Sequence, residues 1–167
     1  MGTRSLTTFI NDHNHKEIVV LYRQYDGYPE GHGKELAMFL KDIRVVNGIT
    51  ASDRSIKTAN GIDCLAAQVV KHFKEGTGGF YLHRADTRDC GEEYIYTIYL
   101  KDKEINIEVR DVYEEKIIFD GNISEMDDWI DKEEDENFIP EHNMSKRVGN
   151  MLDDMSKVNQ KEDGFTD

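Results

Sequence analysis

YRQYDGYPEGHG, residues 22–33, is the stretch where a strand has to end and a helix has to begin. The β-type run Glu17–Arg23 leads into it, and Leu36, Phe39, Leu40 and Ile43 follow at the i, i+3, i+4, i+7 spacing of one buried helical face. Between them, Gly27-Tyr28-Pro29 has the composition of a tight turn: glycine lifts the steric limits on φ and proline presets one. The stretch therefore reads as a strand–turn–helix junction, with the helix expected over residues 33–44.

Working outward, Ser5–Ile10 and Glu17–Arg23 are two short β-type runs joined by a polar turn at residues 11–16, which predicts an opening hairpin. Residues 45–59 show no clear period and read as a loop. Ile62, Leu65, Val69 and Phe73 then mark a second helix, stopped by Gly76, Gly78 and Gly79. From Phe80 the period changes to two: Tyr94, Tyr96, Ile98 and Leu100 alternate with other residues, as do Ile105, Ile107 and Val109. A further strand at residues 116–119 precedes a short helix carrying Met126, Trp129 and Ile130. The expected class is α+β, an antiparallel sheet in the order β-β-α-α-β-β-β-β-α with the helices on one face, plus a C-terminal helix. The expected organisation is an α+β domain over residues 1–131, an acidic linker at 132–140, an amphipathic helix at 141–159 and a disordered tail at 160–167. Met144, Val148, Met151, Met155 and Val158 form the apolar seam of that helix, a route to a homo-oligomer.

The chain has 167 residues and a net charge of −13. Residues 120–167 hold 15 acidic and 5 basic side chains, a net of −10, so only −3 remains for residues 1–119. That balance disfavours direct binding to a phosphate backbone. No window approaches the roughly 18 apolar residues of a membrane span, and the first residues lack the order of a signal peptide, so a cytoplasmic location is expected. Cys64 and Cys90 have no CxxC partner and are expected as reduced thiols.

Arg23, Asp26, Tyr28 and His32 within the junction supply a cation, a carboxylate, a phenol and a titrating imidazole. Gly31 and Gly33 let backbone N–H groups approach an anion at the start of the helix. Neither a P-loop nor a GxGxxG spacing is present. Strand pairing brings Arg4 beside the junction, making Arg4 with Arg23 the favoured anion-binding pair, and His83 after Phe80–Leu82 extends the same region. The candidate ligand-binding set is Arg4, Arg23, Asp26, Tyr28, Gly31, His32, Gly33 and His83. No metal site, cofactor or complete catalytic set is assigned.

Met-Gly-Thr-Arg at the start, followed by Tyr-Asp-Gly-Tyr-Pro and Gly-x-Gly, resembles a group of mostly uncharacterised proteins common in tailed phages and related to others in bacteria and fungi. The match covers about the first 40 residues and falls on Gly2, Thr3, Arg4, Asp26, Gly27, Tyr28, Pro29, Gly31 and Gly33. The resemblance implies a viral or mobile-element origin, hence a host-cell cytoplasm, and it carries no established activity. The reading that follows is a non-enzymatic phage-type accessory protein that binds a small anionic, nucleotide-like ligand or a host protein. One alternative is a phosphate-ester hydrolase using His32 or His83 with Asp26. The other is an acidic nucleic-acid mimic, centred on residues 120–141, that occupies a host DNA-binding protein.

Overall fold

A computed structural model describes residues 2–50 and 57–137, with the side chains of residues 133–137 excepted. The predicted helix at 141–159, its apolar seam and the tail at 160–167 lie outside the described residues. The chain divides into two units, Met1–Ile130 and Asp131–Asp167.

The elements run β1 (Ser5–Ile10), β2 (Glu17–Arg23), α1 (Lys34–Leu40), β3 (Arg44–Val46), β4 (Thr58–Asn60), α2 (Gly61–Phe73), β5 (Phe80–Arg84), β6 (Tyr94–Lys101), β7 (Glu104–Asp111), β8 (Lys116–Asn122) and α3 (Met126–Asn137). The class is α+β. Six strands form one sheet in the order β5-β2-β1-β6-β7-β8, and β3 pairs with β4 in a separate two-stranded ribbon. Every neighbour in the large sheet is antiparallel except β1 and β6, which are parallel.

Three expectations need correction. Helix α1 stops at Leu40, short of residue 44, because Arg44–Val46 leaves to pair with Thr58–Asn60 inside the segment read as a loop. The β-branched Val45 and Val46 suit that strand. The sheet is mixed, because β5 returns beside β2 and the chain must then cross two strands before β6 can join β1. Finally, α3 runs through residues 131–137, where a linker was expected from 132. Charge alone does not stop a helix, and glutamate and lysine are good helix formers.

The register explains the core. Thr7 lies between Leu21 and Tyr96, and Tyr96 opposes Val109, so these four share one sheet face. Phe9, Leu21, Tyr96, Ile98, Ile107 and Val109 pack there against Leu36, Ala37 and Leu40 of α1, Ile62, Leu65 and Val69 of α2, and Met126 and Ile130 of α3. Each of the Leu, Ile, Val, Phe and Met side chains contributes about 1.5–3 kcal/mol on leaving water. Leu6 and Val20 are fully buried on the other face and stand outside this cluster. The crossover at residues 85–93 is anchored at both ends of the β1–β2 pair: Arg88 Nη2 lies 2.7 Å from Glu17 Oε2, and Glu93 N donates to Arg4 O at 2.9 Å.

Both sheet edges are blunted. On β5, Lys74 Nζ donates to Phe80 O and Thr87 Oγ1 donates to Arg84 O. On β8, Ile118 is an extra residue, since Val109 pairs with Phe119 while Arg110 pairs with Ile117. A capped edge and a bulged edge resist strand addition. Cys64 and Cys90 are free thiols. Among the described residues no helix is long and apolar enough to cross a membrane.

Candidate functional site

The junction is built as a wide π-type turn, Pro29–Gly33, running directly into α1. Its backbone is held by His32 N donating to Asp26 O at 3.0 Å and Gly31 N to Tyr28 O at 3.1 Å. Asp26 takes a left-handed conformation, φ 53°, and its carboxylate side is exposed. The glycines are there for space. A Cβ on Gly31 would come within 2.6 Å of Asp26 O, and one on Gly33 within 2.8 Å of Met126 Cε. On Gly27 it would meet Arg4 C, Ser5 N and Ser5 Cβ at 2.8 Å, and the Gly27 carbonyl accepts the buried Tyr96 hydroxyl at 2.8 Å. Gly27 is pressed against β1, Gly31 against its own turn and Gly33 against α3, which leaves no room for a Cβ at these three positions.

Beneath the turn lies a chain of polar groups. His32 is fully buried and Arg23 is 8% exposed. His32 Nε2 is 2.7 Å from Thr7 Oγ1, and its Nδ1 is 2.9 Å from Arg23 Nη1. A guanidinium only donates, so Nδ1 must accept, the ring proton sits on Nε2, and Nε2 donates to Thr7. Arg23 also donates through Nε to the Tyr25 carbonyl and forks onto both Glu35 oxygens, with Nη2 3.5 Å from Oε1. The rings of Phe73, Phe80 and Tyr96 enclose the imidazole, with centroids 5.1, 5.9 and 5.2 Å away. Burial, partly offset by Glu35 and reinforced by Arg23, lowers the His32 pKa to about 4. His32, 4.0 Å away, and the Arg23 guanidinium lower the Glu35 carboxyl to about 2; the Arg23 fork is the closer contact.

The eight candidate residues do not come together. Arg23 opposes Ser5 and Phe80 and points under the helices. Arg4, one residue before Ser5, has its guanidinium against Gly91 of the crossover instead. His83 pairs with Val20, and its ring meets Tyr22 edge-on at 5.8 Å, on the face away from Arg23. Asp26 and Tyr28 stay at the exposed turn, and Gly31 and Gly33 are packed as above. Arg4 with Arg23 is thus split across the sheet, and so are His32 and His83. Sequence reasoning missed Thr7, Glu35 and Tyr96. The i, i+3 spacing of His32 and Glu35 was the one available signal.

A different feature is open to solvent. Between α1 and α2, Phe39 and His72 stack with ring centroids 3.9 Å apart and planes 11° from parallel. The stacked pair lines a hollow of about 380 Å³ together with Glu35, Met38, Ile43 and Lys57, with Met38 63% exposed. It also lines a hollow of about 330 Å³ together with Gln68, Lys71 and Glu75. Rim charges are partly matched within the fold, since Lys57 Nζ lies 3.6 Å from Asp42 and Glu35 is held by Arg23. Among the described residues no group of three His, Cys, Asp or Glu side chains is placed to hold a metal ion. No protein-family model, curated protein or solved structure matches this chain.

Proposed function

We propose that this chain is a non-enzymatic binding protein, of the phage-accessory kind its first 40 residues suggest, which engages a host protein through the α1–α2 groove. The observation that carries this reading is the solvent-open Met38 beside the Phe39–His72 stack and its two hollows. An exposed methionine next to an aromatic wall adapts to the shape of an incoming apolar side chain. The polar groups of the junction, by contrast, are taken up inside the fold: both nitrogens of His32 and three of the donor groups of Arg23 have protein partners. An acid–base pair needs a common substrate within hydrogen-bond reach, and His32 offers no free nitrogen to one.

The partner segment inserts one or two apolar side chains beside Met38 and Phe39, in the manner of a helix laid into a groove. Strand addition is disfavoured by the capped β5 edge and the bulged β8 edge. The internally matched rim favours a partner with an apolar centre over a highly charged one.

The test uses the full chain as bait in a bacterial lysate, with the captured protein identified, purified and titrated back. Met38→Glu is expected to weaken that complex at least about tenfold, the scale of a lost interface anchor, with the folded state unchanged. Equal affinity of Met38→Glu, together with loss on Arg4→Ala or His83→Ala, defeats the reading. Calorimetric heat with a nucleotide that Met38→Glu leaves unaltered restores the small-anion alternative.

A further inference from the structure

We propose that the Thr7–His32–Arg23–Glu35 chain is an acid-sensitive clasp that fixes the lip of the α1–α2 groove, releasing α1 when the buried imidazole takes up a proton. The regulatory sense of the clasp rests on the groove being the binding surface. Its existence does not, and it is tested on the protein alone.

The chain of bonds runs from the middle of the sheet to the groove. Thr7 sits on β1, His32 in the turn, Arg23 at the end of β2, and Glu35 in the first turn of α1. Glu35 is the member that reaches water, with a half-exposed side chain, and it lines the larger hollow beside Met38 and Phe39. The junction and the groove thus share one residue.

The elements packed around His32 decide what a proton does. β1 offers Thr7, β2 Arg23, α1 Glu35 and β6 Tyr96, while α2 and β5 present the uncharged rings of Phe73 and Phe80. Arg23 and Glu35 are the charged groups among them. Nε2 already carries hydrogen, so an added proton from solvent lands on Nδ1. That atom is 2.9 Å from Arg23 Nη1, and two donors then face each other. The nearest acceptor for the new N–H is Glu35 Oε2, 4.0 Å away. Arg23 has to give up Glu35 to the imidazolium and leave the buried site, and α1 loses its tether to β2.

The experiment follows histidine ring nitrogens by NMR and α1 amide exchange by the same method, from pH 7 to 4.5. His32 is expected as the Nε2–H form with a titration near pH 4. Opening of α1, corrected for intrinsic exchange, is expected to rise on the order of 50- to 100-fold over that range, because the freed imidazole regains its ordinary affinity for the proton. His32→Gln keeps an amide donor for Thr7 and an acceptor for Arg23 but cannot titrate, and its α1 opening is expected to stay flat. Three results overturn the clasp: an Nδ1–H form at neutral pH, wild-type opening that ignores pH, or the wild-type pH response persisting in His32→Gln. Should that variant not fold, the two wild-type measurements decide. Loss of partner binding in Met38→Glu alongside a flat wild-type profile rejects the clasp while leaving the groove in place.

Discussion

Gly27→Ala separates a structural role for the junction from a ligand-binding one. Gly27 has no left-handed φ, so the variant tests space and not backbone freedom. Its added Cβ would sit 2.8 Å from three atoms of Arg4 and Ser5, two of them main-chain atoms, against an ordinary contact of 3.4–4 Å. β1 cannot retreat, because it is hydrogen-bonded to β2 on one side and β6 on the other. The turn must move instead, which strains Gly27 N to Thr3 O at 2.9 Å and Tyr96 Oη to Gly27 O at 2.8 Å. Overpacking of this kind costs about 1–3 kcal/mol, and weakening one or two buried bonds adds roughly 1 kcal/mol, for a total of about 2–4 kcal/mol. Urea unfolding followed by circular dichroism should show a lower midpoint at constant slope. Gly76→Ala is the matched control: a Cβ there meets nothing within 4 Å, and the change should be neutral or stabilising by less than about 1 kcal/mol. A Gly27→Ala protein within about 0.5 kcal/mol of its parent would refute the reasoning, since a turn that tolerates a methyl group there is not pressed onto β1.

Two further outcomes follow from the buried polar groups. Tyr96→Phe strips the hydrogen bond from the Gly27 carbonyl and is expected to cost about 1–3 kcal/mol by denaturant titration, whereas Tyr99→Phe, whose hydroxyl meets Asp120 at the surface, should stay within about 0.5 kcal/mol. The pH dependence of unfolding has a definite sign. His32 has its pKa lowered from 6.5 to about 4 on folding, so the unfolded chain binds the proton first, and stability is lost as pH falls from about 6.5 to 4, by about 3 kcal/mol. Glu35, lowered from 4.5 to about 2, removes a further and smaller amount between those values, since its side chain is half exposed. A stability profile level from pH 7 to 4.5 would contradict the buried neutral imidazole.

Much of the fold was legible because local periodicity and burial agree. The hairpin strands fall at Ser5–Ile10 and Glu17–Arg23, the two β-type runs on either side of the polar turn, and Ile62, Leu65 and Val69 do line the buried face of α2. What escaped has no local signature. Parallel pairing of β1 with β6 depends on a nine-residue crossover whose anchors, Glu17 and Arg4, lie far away in sequence. The three-residue strands β3 and β4 are too short for a period to be read. For the site, strand adjacency was read correctly and its parity was not: β1 does bring Arg4 beside the junction, but Ser5 is the residue opposite Arg23. Neighbouring positions on a strand face opposite sides, so the two arginines diverge. Glu35 carries no distinguishing local signal, since an acid in the first turn of a helix is an ordinary feature.

Parity also gives a reason for so polar a junction to be buried at all. Slipping β2 by one residue against β1 would turn Tyr22 toward the helices and Arg23 toward the crossover face, and the apolar residues of β2 give weak resistance, because Val20 and Leu21 are both fully or almost fully buried on opposite faces. Apolar burial alone therefore discriminates poorly between the two registers. The polar chain discriminates well. In the observed register Thr7, His32, Arg23 and Glu35 satisfy one another, whereas a slip would turn Arg23 away and leave His32 Nδ1, enclosed by Phe73, Phe80 and Tyr96, without a partner. Such an unpaired buried group costs about 1–3 kcal/mol, which is enough to select one register by a factor of ten or more. The residues of YRQYDGYPEGHG that look most like a ligand site are, on this argument, the ones that fix how the first two strands meet.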